Sequence, residues 1–164
     1  MRFLAVFLAI TTALFSTELT PFGQRFVVEP WTEGVARGAA AALGAFDPSV
    51  IASGRSLLDR STGSGVSIEA GCNGVEAMIL IVAAMVAFRA SWKQRAIGLA
   101  AGFVAVQTLN LVRIVSLYYL ARWDFAIFEW VHLYLWQALI MIDVVLVWIV
   151  WLRWISRKSN AHTA

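Results

Sequence analysis

The sequence predicts an all-α integral membrane protein with about four transmembrane helices and an extracytoplasmic segment between the first and second. Of its 164 residues, 60% are hydrophobic and only 14% are charged, whereas a soluble domain is about 25% charged. Much of the surface must therefore face lipid. All three prolines fall within residues 20–71, which separates a first apolar run from the others. The length predicts a single domain, residues 1–164.

The first apolar run covers residues 2–15 and begins with one positive charge, Arg2. It resembles a signal-peptide core and is short for a membrane span. Residues 14–18, however, form a poor cleavage site. We therefore favour a retained first helix that ends near Leu19.

Residues 20–71 form the predicted extracytoplasmic segment. An alanine-rich stretch, residues 33–46, predicts a short helix on the membrane surface. Residues 49–53 and 65–70 flank a glycine- and serine-rich loop at 60–65, a pattern typical of a β-hairpin. Such a hairpin would bring the only cysteine, Cys72, to the membrane surface.

A second helix is predicted over residues 75–88, just after the cysteine. Asn73 and Glu76 have the spacing of an N-cap residue and its N3 glutamate. Cys72 then lies beside a helix N-terminus, where free N–H groups favour an anion such as a thiolate.

Two longer apolar runs, residues 96–121 and 131–154, complete the spans of the predicted core, residues 72–154. Basic residues flank the runs at Arg2, between 89 and 95, and in the tail, 155–164. Because basic loops mark the cytoplasmic side, both termini are predicted to be cytoplasmic. A net charge of +3 from scattered basic residues is not typical of nucleic-acid binding.

This orientation brings three reactive side chains to the outer face. Cys72 precedes the second span, His132 opens the fourth, and Arg113 lies near the outer end of the third. A thiol can act as nucleophile, an imidazole as proton carrier, and a guanidinium can stabilise a thiolate or an oxyanion. These are the groups that acyl transfer from a peptide bond needs.

Each residue also has a purely structural interpretation. Cys72 alone is most often an ordinary cysteine at a membrane junction, and His132 an interfacial histidine. A charge within a span costs roughly 2.5–3.5 kcal/mol, so Arg113 is harder to dismiss; its structural partner would be Glu76 or Asp143. Glu76 itself is best interpreted as the helix cap.

At these residues the chain resembles the exosortase/archaeosortase family of membrane cysteine transpeptidases. The similar pieces are the stretch around Cys72 (residues 69–78), Asn110-Leu-Val-Arg113-Ile, and Val131-His132. The sequence around the cysteine is most similar to that of the compact exosortase H subgroup.

The resemblance implies that Cys72 is the nucleophile, Arg113 the transition-state stabiliser and His132 the proton-transfer residue, with possible support from Asn110, Asn73 and Glu76. It implies a cysteine peptidase or transpeptidase of a bacterial plasma membrane, the inner membrane in a Gram-negative cell, without cofactor or metal. Its partners would be exported proteins with a C-terminal sorting signal (a short motif, a hydrophobic helix and a basic cluster), membrane lipid and an unknown acceptor.

A substrate helix of this kind could pack on small residues of the third span. That face comprises Gly98, Ala100, Ala101, Gly102 and Ala105.

Two other functions compete with this one. A non-enzymatic scaffold or assembly subunit would use Arg113 only for interhelical pairing. A transporter fragment would use Arg113, Glu76 and Asp143 as a polar path, but the sequence has no evident pair of broken helices.

Overall fold

The computed structural model describes the backbone of residues 1–161 and the side chains as far as Arg157. Helix α1, Arg2–Glu18, is followed by a bend of 71° and a second helical stretch up to Gly44. That stretch comprises α2 (Pro21–Gly23), a π-helical turn (Gln24–Val28) and α3 (Glu29–Gly44). The bend needs Gly23, because any Cβ there would collide with the Thr17 carbonyl. Helix α1 ends one residue before the predicted Leu19, and α3 begins before the predicted surface helix.

A three-stranded antiparallel sheet follows, with strands β1 (Val50–Ser53), β2 (Ser56–Asp59) and β3 (Gly65–Ser67) in the order β1-β2-β3. A sheet is present where the hairpin was expected, but the predicted pairing is wrong. Gly54, at φ 57°, reverses the chain early, so that β2 lies between the two predicted strands. Leu57 of β2 is opposite both Ala52 and Val66.

The remaining elements are helical. They are α4 (Val75–Ala87), α5 (Trp92–Trp123), α6 (Phe125–Trp130), a π-helical turn (Val131–Leu135) and α7 (Trp136–Ala161). In the described chain, α5 and the helix over 125–157 are long and apolar enough to cross a membrane, and the bent α1 pair could be a third span. Helix α4 is apolar but only 13 residues long.

Two apolar cores hold these elements together. The first joins α3, the sheet and the end of α5 through Leu43, Leu57 and Tyr118, which are all fully buried. The second lies between α4, α5 and α7 and contains Ile81 and Trp151.

The second core corrects the predicted docking face of the third span. A Cβ at Gly98 would strike the Trp151 ring, and a Cβ at Gly102 would press on Val147 and Ile81. Both glycines therefore serve the protein's own helix packing, and only part of the predicted face remains accessible.

The last helix extends into the predicted tail, residues 155–164. Helix α7 continues to Ala161. Residues 162–164 of the predicted tail lie outside the described residues.

Candidate active site

The cysteine lies in a short loop between β3 and α4. Ile68 anchors the start of the loop, because its N–H donates to the Arg55 carbonyl and its side chain is buried. The Cys72 N–H donates to the Glu69 carbonyl at 3.0 Å, which closes a turn. Gly71 (φ 82°) and Gly74 (φ 79°) have left-handed backbone conformations, which residues other than glycine rarely adopt. The sulfur is thus presented by a turn that needs glycine on both sides.

Asn73 ties this loop to α3 and to the start of α4. It is fully buried, and its side-chain N–H donates to Thr32 Oγ1 at 3.0 Å. The Trp31 indole N–H donates to the Asn73 carbonyl, also at 3.0 Å. The Asn73 Oδ1 accepts from the Val75 N–H. Asn73 therefore bonds the first residue of α4, although it is not the predicted N-cap, and it also fixes the position of its neighbour Cys72.

The predicted capping role of Glu76 is wrong in detail. Glu76 Oε1 accepts a hydrogen bond from the N–H of Gly71, not from that of Asn73. The N-cap position is held by Gly74, whose left-handed backbone displaces Asn73 by one residue. The glutamate thus holds the residue immediately before the cysteine.

Cys72 Sγ lies within hydrogen-bonding distance of both other predicted site residues. His132 Nε2 is 3.1 Å from the sulfur, and Arg113 Nη2 donates to it at 3.3 Å. The three side chains come from the 68–74 loop, α5 and the π-helical turn that follows α6. We call these three residues the Cys72 cluster.

Arg113 is only 2% exposed, yet it has no carboxylate within salt-bridge distance among the described residues. Its second amino group, Nη1, donates to the Gly71 carbonyl at 2.9 Å. Neither Glu76 nor Asp143 pairs with it, contrary to the structural interpretation of the arginine. Gly71 is therefore held at its N–H by Glu76 and at its carbonyl by Arg113.

His132 reaches the sulfur from a π-helical turn, Val131–Leu135. Such turns are frequent at functional sites because they change the direction of a side chain within a helix. The Phe128 ring lies 5.5 Å from the imidazole and supports it from the preceding turn. Asp124 fixes the start of α6 by accepting from two backbone N–H groups.

Burial raises the pKa of the Cys72 thiol, the positive charge of Arg113 opposes that rise, and Glu76 and Glu69 add to it. The net effect is upward, which favours the thiol over the thiolate. The His132 imidazole is in contact with the sulfur, and an imidazole can accept a proton from a thiol.

The other predicted polar residues lie apart from the cluster's hydrogen bonds. Asn110 is fully buried, and neither of its side-chain polar atoms has a hydrogen-bond partner among the described residues. Asp143 is half-buried and pairs with neither Gln107 nor Asn110 within the same part of the chain. Residues 1–161 contain no group of three acidic, histidine or cysteine side chains suited to a metal ion.

Sequence reasoning missed four residues that position the site. Trp31 and Thr32 hold Asn73, Gly71 accepts from Arg113, and Phe128 contacts His132. The glycine was visible as part of Gly71-Cys72-Asn73-Gly74. Trp31 and Thr32 of α3 could not be found from the sequence, because their contacts join residues about forty positions apart.

Residues 2–150 match the family model described as transmembrane exosortase. No protein of curated function and no solved structure matches the chain significantly. This match is consistent with the compact exosortase H subgroup. Since the matched region covers most of the 164 residues, the chain belongs to the transmembrane exosortase family.

Proposed function

We propose that this exosortase is a cysteine transpeptidase or protease that cleaves C-terminal sorting signals of exported proteins. Membership of the family supports processing of sorting signals in general. The observation that carries the specific proposal is the double contact of Cys72 Sγ, with His132 Nε2 on one side and Arg113 Nη2 on the other.

In the proposed reaction, His132 Nε2 takes the Cys72 proton as the sulfur attacks the carbonyl carbon of the scissile peptide bond. A C–S bond forms, and the carbonyl π electrons move to oxygen. When this tetrahedral intermediate collapses, the C–N bond breaks and the imidazolium gives its proton to the leaving amine. The product is a thioester on Cys72, which an acceptor nucleophile or water then opens.

Arg113 stabilises the negative charge that develops in this reaction. A buried guanidinium without a carboxylate partner is costly in the resting state. It is also pre-oriented, because the bond from Nη1 to the Gly71 carbonyl fixes the guanidinium plane while Nη2 points at the sulfur. Donors held in this way stabilise a transition state without reorganisation.

The topology supports access for such a substrate. We propose four spans, α1, α4, α5 and α7, with both termini in the cytoplasm and the Cys72 cluster on the extracytoplasmic side of a bacterial plasma membrane, the inner membrane in a Gram-negative cell. The basic residues near Arg2, in the 89–95 loop and at the end of α7 support this orientation. The sheet and α3 then cover the site from outside.

The competing proposal, a scaffold with a structural Arg113, has less support. An arginine that pairs two helices should contact an acidic residue. Arg113 instead donates its hydrogen bonds to a thiol and a backbone carbonyl.

The proposed function is tested with a secreted reporter that ends in a sorting signal from the same genome, co-expressed with the wild-type enzyme or a variant. We expect Cys72→Ala and Cys72→Ser to abolish processing at unchanged membrane protein level, because neither side chain provides a thiolate. Normal processing by Cys72→Ala would exclude the mechanism. Normal processing by Cys72→Ala together with a lower protein level of Arg113→Ala would favour the scaffold.

A further inference from the structure

Gln107 lies on α5, three residues before Asn110 and six before Arg113. Its Nε2 is buried and has no hydrogen-bond partner among the described residues. Leaving a buried donor unsatisfied is unfavourable by about 1–3 kcal/mol. A plain apolar side chain would therefore suit the resting fold better.

The Gln107 carboxamide touches the loop that carries the nucleophile. A Cβ placed on Gly74 would come within 2.7 Å of Gln107 Nε2 and 3.2 Å of Oε1. Gly74 is two residues from Cys72 and packs directly against this amide.

Gln107 also lines a groove of about 650 Å³ between α1, α3, α4 and α5. The other walls are apolar and include Met78 and Val82. The Trp31 N–H is already donated to Asn73. The groove opens to the outside of the bundle, since Phe26 and Phe103 on its rim are 60% and 42% exposed. It thus offers an apolar channel in which Gln107 Nε2 has no hydrogen-bond partner among residues 1–157.

A second apolar groove, of about 470 Å³, lies between α5 and α7 and is lined by Ala101 and Ala105. It includes the exposed part of the predicted docking face. Those residues precede Arg113 by eight or more positions, which is at least about 12 Å along a helix. The groove lined by Gln107 also includes Val75, the first residue of α4 after the Cys72 loop.

A substrate that enters from the membrane must be unwound where it is cut, because a helical peptide bond is shielded from attack. Unwound backbone in an apolar medium needs hydrogen-bond partners. A carboxamide supplies both a donor and an acceptor. We propose that the groove binds the hydrophobic helix of the sorting signal and that Gln107 hydrogen-bonds the unwound backbone between this helix and the scissile bond.

This inference rests on the proposed function and assigns Gln107 as a substrate-positioning residue. The variant Gln107→Met keeps the length of the side chain and removes both hydrogen-bonding groups. Gln137→Met, on the exposed face of α7, is the matched control. We expect Gln107→Met to reduce reporter processing about ten-fold at limiting substrate, with unchanged or higher thermal stability, and Gln137→Met to process normally. Higher stability of Gln107→Met with wild-type processing would overturn the inference.

Binding is measured separately from cleavage by placing a photo-crosslinking amino acid at Val82 or Ala101 of the Cys72→Ala enzyme. We expect the reporter tail to crosslink from Val82 and not from Ala101. Crosslinking from Ala101 alone, together with cleavage by the wild-type enzyme, would overturn the groove assignment and leave the proposed function intact. Crosslinking from Val82 without cleavage by the wild-type enzyme would support the groove and contradict the proposed function.

Discussion

Two arginines of α5 have opposite surroundings. Arg122 forms two salt bridges, from Nη2 to Asp59 Oδ2 at 2.9 Å and from Nη1 to Asp47 Oδ2 at 3.3 Å. It also donates a hydrogen bond to the Tyr118 hydroxyl. Arg113, deeper along the helix, bonds only to a carbonyl and a sulfur. Arg122 thus connects the sheet and the end of α3 to α5, whereas Arg113 forms no salt bridge within residues 1–157. The difference separates an arginine with two carboxylate partners from the one that the proposed mechanism uses.

The carboxylates around Arg122 are built for that structural role. Hydrogen bonds from the Ser61 side chain and backbone, with help from Arg122, lower the pKa of Asp59 to about 2. Asp47 makes the same bonds to Ser49, and its pKa is likewise lowered. Both groups are therefore charged at neutral pH, which favours their salt bridges with Arg122.

The largest expected effect is that of Arg113→Lys. An ammonium group cannot reproduce the guanidinium fork that donates to Gly71 and Cys72 together. We expect the processing rate per enzyme molecule to fall about 10²- to 10³-fold, with membrane protein level close to wild type. Reporter cleavage and immunoblotting of the enzyme measure the two quantities. A large drop in enzyme level with a normal rate per molecule would make Arg113 structural and remove the contrast between the arginines.

Arg122→Gln should show the reverse pattern. Losing the cation leaves Asp47 and Asp59 facing one another without compensation, so the thermal midpoint in detergent should fall by several degrees. The processing rate per folded molecule should stay close to wild type, because the Arg122 contacts do not include the Cys72 cluster. A wild-type midpoint with abolished processing would show that the roles of the two arginines are not separate.

A smaller effect is expected in thiol reactivity. Since burial raises the Cys72 pKa and Arg113 opposes the rise, the rate of alkylation by iodoacetamide should increase with pH through the alkaline range. Removing the positive charge in Arg113→Met should move this profile to still higher pH. Arg122→Gln serves as the control and should leave it unchanged. A shift to lower pH in Arg113→Met would contradict the electrostatic contact between Arg113 and the sulfur.

The fold could be predicted where a signal lies within one element. The apolar runs gave α1, α4, α5 and α7, and Asn73 located the start of α4 to within a residue. β2 was missed because its turn depends on one glycine, Gly54, and a single glycine does not specify a left-handed turn. The docking face is only partly correct, because Gly98 and Gly102 pack against the protein's own helices.

The three residues of the Cys72 cluster could be predicted from the sequence. The hydrogen bonds that position them could not. Cys72, Arg113 and His132 each belong to a recognisable motif or helix end. The hydrogen bonds from Trp31, Thr32 and Glu76 depend on where the 68–74 loop folds. Two left-handed glycines redirect that loop, so the Glu76 partner became Gly71 although the sequence spacing suited a capping box.

The central claim, that Cys72 forms a covalent intermediate between its flanking histidine and arginine, is tested most directly by intact-mass spectrometry. Purified enzyme is mixed with a sorting-signal peptide and quenched in acid during the first turnover. The account predicts an added mass equal to the peptide fragment before the cut, released by hydroxylamine, mapped to Cys72 and absent from Cys72→Ala. Cleavage of the peptide by Cys72→Ala at the wild-type rate, with no adduct on either protein, would contradict it.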